Sequence, residues 1–441
     1  MNQALIVFSF FVAIFVSLVA FPEGPVAAGI AGILAGITLL VMKRVIKEEG
    51  EQEFLVGIFL AALNVRVILA VIIYSFQLEP YIGPDAQTYD YNGLNIIRCW
   101  TGVGLCENIV DDNFGMFYLV AVVYSLFGRN PLAVQFISAF CGALTAVLIY
   151  FCTYTIFANR RASKYSAIFV AFLPTMIIWS SQMLKDGLII FALVVILTSI
   201  IRLQKQFSYF DIAILLFGLA GIMTLRFYLF YIVSLAAIGG FFLGQQLSLQ
   251  SLIKRLVALV IIGIGLMFVG VYQIAERQSE VMSLERVQKV RTAFSDKRFA
   301  GSAIESDVDV STPMGALMAM PMGIVTILMA PFPWQMLKMT QLLTLPDMII
   351  WWLMLPLMYI GLKYTLKKRL RESISVLFFS LILLLAYSVY QGNLGTMYRQ
   401  RAQIQVFLLV FAAVGLGVFQ EKRENQMLNR RIQLNRKVSF P

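Results

Sequence analysis

The sequence predicts an all-α polytopic membrane protein of about twelve transmembrane helices. Three observations carry this expectation. Of 441 residues, 60% are hydrophobic and only 13% charged, against about a quarter charged in soluble domains. Mean hydropathy is +0.81. The apolar residues also gather into runs long enough to cross about 30 Å of hydrocarbon at about 1.5 Å per residue.

The first run, Ala4 to Phe21, follows an uncharged Met1-Asn-Gln and lacks a small-residue cleavage site, so it reads as a retained helix. Pro25 to Met42 follows and ends in Lys43, Arg44 and Lys47, and Phe54 to Phe76 encloses Arg66. A long polar segment, 77–130, comes next; its apolar stretch Gly115 to Phe127 is too short to span. Pro131 to Phe157 runs into Arg160, Arg161 and Lys164, after which come Tyr165 to Met183 and Gly187 to Leu203, the latter beside Arg202 and Lys205. Tyr209 to Leu225, Phe227 to Leu243 and Leu256 to Tyr272 follow, with Lys254 and Arg255 between the last two. A second long segment, 273–347, holds mixed charges (Glu276, Arg277, Glu280, Glu285, Arg286, Lys289, Arg291) and an apolar stretch, Met314 to Ala330, closed by Pro331-Phe-Pro-Trp334. Met348 to Leu362, Ser373 to Val389 and Ile404 to Val418 complete the set.

Lys and Arg in short loops stay on the cytoplasmic side. If each run crosses once, all the basic clusters, from Lys43 to the tail Lys422–Lys437, fall on one side. Both termini are then cytoplasmic, and both long segments lie outside, their apolar stretches resting in the outer interface or dipping in and back out. The chain reads as one transmembrane domain, 1–420, with outer loops 77–130 and 273–347, followed by a basic cytoplasmic tail, 421–441.

Composition narrows the chemistry. The net charge of +11 sits in clusters between apolar runs, which argues against nucleic acid and for lipid headgroups. Histidine is absent, which removes the commonest general base and zinc ligand. Cys141 and Cys152 sit inside an apolar run, while Cys99 and Cys106 share the first outer loop and are a candidate disulfide.

That loop opens Tyr81-Ile-Gly-Pro-Asp85-Ala-Gln-Thr-Tyr89-Asp90. Asp85 and Tyr89 are four apart, hence on one face of a helix starting there. A carboxylate in partly low-dielectric surroundings is raised toward the range of a general base; alternatively, Asp85 caps a helix and Tyr89 anchors the interface. Arg66 lies deep in an apolar run, and Lys185, Arg226, Arg399 and Arg401, with Tyr398, fall at the outer boundary, where topology does not call for positive charge. Together they are candidates for a lipid-linked phosphate, and singly each could contact a headgroup.

The outer-loop Asp and Tyr, the stretch ending Leu126-Phe-Gly128, Phe157-Ala-Asn-Arg-Arg-Ala162, Leu173-Pro with Ser180-Ser181 and Lys185-Asp186, and the late Tyr398-Arg-Gln-Arg401 resemble the GT-C superfamily, integral membrane glycosyltransferases that use polyprenyl-phosphate sugars. The resemblance is to the protein mannosyltransferases and the aminoarabinose transferase; in layout it covers roughly 54–419, and it implies a lid in 273–347, whose mixed charges at helical spacing otherwise read as a solvated surface helix. It implies a catalytic carboxylate at Asp85, with Tyr89 beside it, facing an acceptor hydroxyl. It implies a sugar donor on undecaprenyl or dolichyl phosphate, held by Arg66, Lys185, Arg226, Tyr398, Arg399 and Arg401, and a glycan, lipid or protein acceptor on the extracytoplasmic face. Relatives carry two adjacent acidic residues in this loop. Here Ala86 follows Asp85, so Asp90 would supply the second carboxylate; a divalent Mg or Mn ion could meet Asp85, Asp90, Asp111 or Asp112. The competing expectations are a surface-polysaccharide polymerase or ligase working on diphosphate-linked glycans, and a flippase or secondary transporter, which would need more ionisable groups at the bilayer midplane than Arg66.

Overall fold

A computed structural model describes residues 2–103, 114–243, 284–295, 308–335, 344–390 and 392–438. The expected span Leu256 to Tyr272, the cluster Lys254 and Arg255, and Glu276, Arg277, Glu280, Asp111, Asp112 and Cys106 lie outside the described residues.

The apolar runs are helices: α1 (Asn2–Val19), α2 (Glu23–Val45), α3 (Glu49–Ser75), α7 (Pro131–Phe157), α10 (Lys185–Lys205), α11 (Tyr209–Leu225) and α12 (Phe227–Leu243). Between α3 and α7 come α4 (Glu79–Ile82), α5 (Asp85–Trp100) and α6 (Phe114–Phe127), and between α7 and α10 come α8 (Arg160–Phe172) and α9 (Pro174–Ser180). The later chain forms α13 (Leu284–Ser295), α14 (Pro313–Met329), α15 (Leu345–Lys368), α16 (Leu370–Tyr390) and α17 (Leu394–Val438). Side-chain caps fix several starts. Asn130 accepts from the Ala133 amide at 2.9 Å and Asn159 from that of Ala162 at 3.0 Å.

Among the described residues eight helices are long and apolar enough to cross a membrane, nine if the bent pair α8 and α9 is one span. The expected twelve is not reached by these alone. At 17 residues each, α11 and α12 reach only about 26 Å and need their flanks to cross. The stretch expected to rest in the first outer loop is α6, 14 residues long, and the one closed by Pro331 is α14. The tail expected to begin at 421 continues α17 without a break to Val438.

At the centre lies α7, packed against α2, α3, α8 and α10, while α17 runs along α15 and α8. In lipid, packing rather than water release joins helices, so small residues sit where backbones touch. A Cβ on Gly415 would lie 1.8 Å from the Leu357 carbonyl oxygen, and one on Gly361 1.8 Å from that of Phe411. Larger residues there would force α15 and α17 apart.

The bend between α8 and α9, 54°, has a chemical cause. Pro174 has no N–H for the Val170 carbonyl, and the Thr175 amide turns to Asp347 Oδ1 at 2.9 Å, so the Ala171 carbonyl is also released. Arg66, fully buried, answers both. It donates to Ala171 O at 2.8 Å, Val170 O at 3.2 Å, Ala62 O at 3.1 Å and Ser180 Oγ at 2.8 Å. A cation thus takes the freed carbonyls and a carboxylate takes the freed N–H. The bend carries the chain through Ser181 into the start of α10, where Lys185 and Asp186 stand.

Candidate functional site

Four charged side chains from four helical regions converge at the end of the bundle that carries α5. Asp85 opens α5, Asp186 lies in the first turn of α10, Arg226 links α11 to α12, and Arg399 is in the second turn of α17. Arg399 donates from Nη1 to Asp85 Oδ2 at 2.6 Å, and its Nε lies 3.3 Å from Asp186 Oδ2. Arg226 Nη2 lies 3.5 Å from Asp186 Oδ1, and its guanidinium stands 5.8 Å over the Tyr228 ring. Tyr228 shares a 2.9 Å hydroxyl contact with Tyr387, which donates to Gln403 Oε1 at 2.6 Å, so the arginine rests on a polar base.

Burial separates the two carboxylates. The Asp186 side chain is 1% exposed and that of Asp85 42%. Both Asp186 oxygens, Arg226 Nη1 and Arg399 Nε are buried without a hydrogen-bond partner. These ion pairs are close but not aligned, and buried polar atoms of this kind call for a further partner. Lys185, also buried, is within electrostatic reach of Arg226, Asp186, Arg399 and Asp85. Two arginines therefore meet two carboxylates beside a buried lysine, and the unpartnered donors among them suit a further anion.

Tyr89 belongs to this group. As the four-residue spacing requires, it shares a face of α5 with Asp85; its ring packs on Phe117 at 5.8 Å, and its hydroxyl feels Asp186 and Asp85. Burial, reinforced by Asp186 and Asp85, holds the phenol well above its ordinary range. It therefore keeps its proton at neutral pH and serves as a donor, not a base. Gly83 brings the turn before α5 down onto the start of α10, since a Cβ there would lie 2.4 Å from Gln182 Oε1.

The other candidates go elsewhere. Asp90, five residues from Asp85, points about 140° away around the helix and is held by Arg129 (2.6 and 3.1 Å) and the Tyr124 hydroxyl (2.7 Å). Arg401 and Tyr398 form a second buried group with Asp347 and Thr175. Tyr398 donates to Asp347 Oδ2 at 2.9 Å, while Arg401 donates to Ala330 O at 2.7 Å and stands 5.0 Å over the Tyr398 ring. Arg399 and Arg401 are two apart, hence about 200° around one helix, and cannot serve one phosphate. Arg66 is engaged at the α8–α9 bend. Asp85 itself is part-exposed and paired with Arg399.

Asp186, read from the sequence only as part of a helix end, proves to be the shared carboxylate of both arginines. The signal available was an Asp beside a Lys at the outer start of an apolar run. Cys99 is disulfide-bonded, while Cys141 and Cys152 are free. Among the described residues no group of three or more acidic, cysteine or histidine side chains could hold a metal ion.

Residues 111–272 match the family described as dolichyl-phosphate-mannose-protein mannosyltransferase. The match includes Lys185, Asp186 and Arg226 and leaves out Asp85 and Arg399. The apo oligosaccharyltransferase of Archaeoglobus fulgidus is similar in structure with a TM-score of 0.50 and 14% identity, over 88% of this chain and 53% of that one. The same archaeon's oligosaccharyltransferase AglB, in complex with an inhibitory peptide and a dolichol-phosphate, gives 0.48 and 14%, over 88% and 52%. ArnT of Cupriavidus metallidurans bound to undecaprenyl phosphate gives 0.47 and 13%, over 79% and 59%. The chain spans about half the length of the oligosaccharyltransferase. A comparison with curated proteins finds no match.

Proposed function

From its GT-C fold, and its match to the mannosyltransferase family over 111–272, we propose that this chain transfers a sugar from a polyprenyl phosphate to a hydroxyl of a lipid-linked, surface-glycan or protein acceptor. The observation that carries this reading is the pair of arginines, buried Arg226 and part-buried Arg399, beside the part-exposed Asp85. A sugar polyprenyl phosphate is a diester with one negative charge. In transfer the acceptor oxygen bonds to the anomeric carbon, the bond from that carbon to the phosphate oxygen breaks with its electron pair, and the acceptor proton passes to Asp85. The departing polyprenyl phosphate monoester carries a second negative charge, so fixed cations bind the product-like state better than the donor, and this difference lowers the barrier. Tyr89, protonated, offers the site a hydroxyl donor beside Asp186 and Asp85.

A divalent ion at Asp85 or Asp90 would first have to displace Arg399 or Arg129, and Asp111 and Asp112 lie outside the described residues. We place the site on the extracytoplasmic side with both termini cytoplasmic. In support, Arg160 pairs with Glu48 and Arg161 with Glu424 at the opposite end of the bundle, where the positive-inside rule puts such clusters.

The test is a transfer assay with purified protein and a panel of radiolabelled polyprenyl-phosphate sugars. Wild-type protein should release polyprenyl phosphate in step with sugar transfer, and Asp85→Asn should not. Release of a polyprenyl diphosphate instead would identify a polymerase or ligase.

A further inference from the structure

The site holds two carboxylates, and the transfer just described uses one. Resting on that reading of the donor, we propose that Asp186 is a positioning residue, the fixed counter-ion that keeps Arg226 and Arg399 side by side for one phosphate, while Asp85 is an exchangeable partner that the phosphate displaces from Arg399.

Two guanidinium groups drawn into a low-dielectric site repel each other, and an anion between them is needed to hold them there. Asp186 is so placed, with Oδ1 toward Arg226 Nη2 and Oδ2 toward Arg399 Nε. It is 1% exposed and lies in the first turn of α10, where the helix dipole favours an anion. Asp85 holds Arg399 by a different edge, through Nη1, and is itself 42% exposed. Since Asp85 is the part-exposed partner, an incoming anion reaches Arg399 from that Nη edge, and a phosphate there takes the place of Asp85. The unpartnered Arg226 Nη1 gives the same phosphate a second donor. Once released, the Asp85 carboxylate is free to receive the acceptor proton. The base therefore becomes available only when donor is bound, and donor binds before acceptor is activated.

The two acids must then differ in sign in one experiment, the binding of undecaprenyl phosphate to the full chain in lipid nanodiscs. Asp85→Asn removes a competitor and should bind about threefold tighter or more, while Asp186→Asn should bind about tenfold weaker or more, with Asp186→Glu recovering part of the loss. Arg399→Gln should also bind weakly. Thermal unfolding accompanies each variant; should Asp186→Asn fail to fold, the Asp85→Asn and Asp186→Glu affinities decide. Asp85→Asn binding no tighter than wild type, or Asp186→Asn with a lowered Tm and unchanged affinity, overturns the proposal while leaving the donor reading intact. Wild-type protein that does not bind undecaprenyl phosphate, with Arg399→Gln no different, overturns the donor reading itself.

Discussion

Arg399 and Arg401 are the same residue type two positions apart on one helix, and they should respond to substitution in unlike ways. Arg399 contacts both carboxylates of the site, so Arg399→Gln should lower kcat/KM for transfer about a hundredfold and leave the thermal unfolding of purified protein near that of wild type. Arg401, 1% exposed, donates to Ala330 O and stands over Trp351 and Tyr398. Arg401→Gln should lower Tm, because it strips a buried network of its cation, and surviving folded protein should keep its donor KM. Asp85→Asn should cut kcat about a hundredfold or more, measured at saturating donor so that tighter donor binding cannot hide the loss. Tyr89→Phe removes only a neutral hydroxyl from the site and should cost far less. The sequence made Asp85, Tyr89, Lys185, Arg226 and Arg399 legible because each is a polar residue at an outer helix end. It could not separate Arg401 and Tyr398 from Arg399, because the last helix was expected to start at Ile404 and instead starts at Leu394. Once those residues are helical, the 100° step turns Tyr398 about 100° and Arg401 about 200° away from Arg399.

At the scale of elements, the bend between α8 and α9 connects residues with no chemistry of their own to the site. The sequence read Tyr165 to Met183 as one run, so neither the break at Leu173-Pro nor the partners that complete it were legible. Arg66 comes from α3 and Asp347 from α15, more than a hundred residues away in either direction. Intramembrane arginine reads as functional from cost alone, and here the cost is offset by four neutral acceptors, two of them left over from the proline break. Arg66→Met keeps the length and apolar stem while orphaning those carbonyls. It should destabilise the protein by about 3 kcal/mol or more, read as a fall in Tm in detergent. Because α9 leads into Lys185 and Asp186, the same variant should also raise the donor KM although Arg66 touches no site residue. A fall in Tm with KM unchanged would show that the bend supports the bundle without aiming the site.

For the whole molecule, the consequential question is which end faces outward. Asp85, Asp186, Arg226 and Arg399 meet at one end, while Arg160 with Glu48 and Arg161 with Glu424 meet at the other. The sequence separated these ends because basic clusters recur after every second run, a pattern that needs no knowledge of packing. It did not show how far each helix extends, since α17 passes from the site end through the bundle to the exposed tail as one helix of 45 residues. That continuity makes orientation testable with two positions. Thr88 is exposed on α5 beside the site, and Gln426 is exposed on the tail of α17. Of the native cysteines, Cys141 and Cys152 lie within the bundle and Cys99 is disulfide-bonded, so a cysteine at either test position should dominate labelling. In intact cells a membrane-impermeant maleimide should modify Thr88→Cys and spare Gln426→Cys until the membrane is permeabilised. The reverse pattern would put Asp85 in the cytoplasm, where soluble nucleotide sugars are at hand and a lipid-linked donor is not required. The need for a polyprenyl carrier arises because no soluble activated sugar is supplied outside, so the topology result and the identity of the donor stand or fall together.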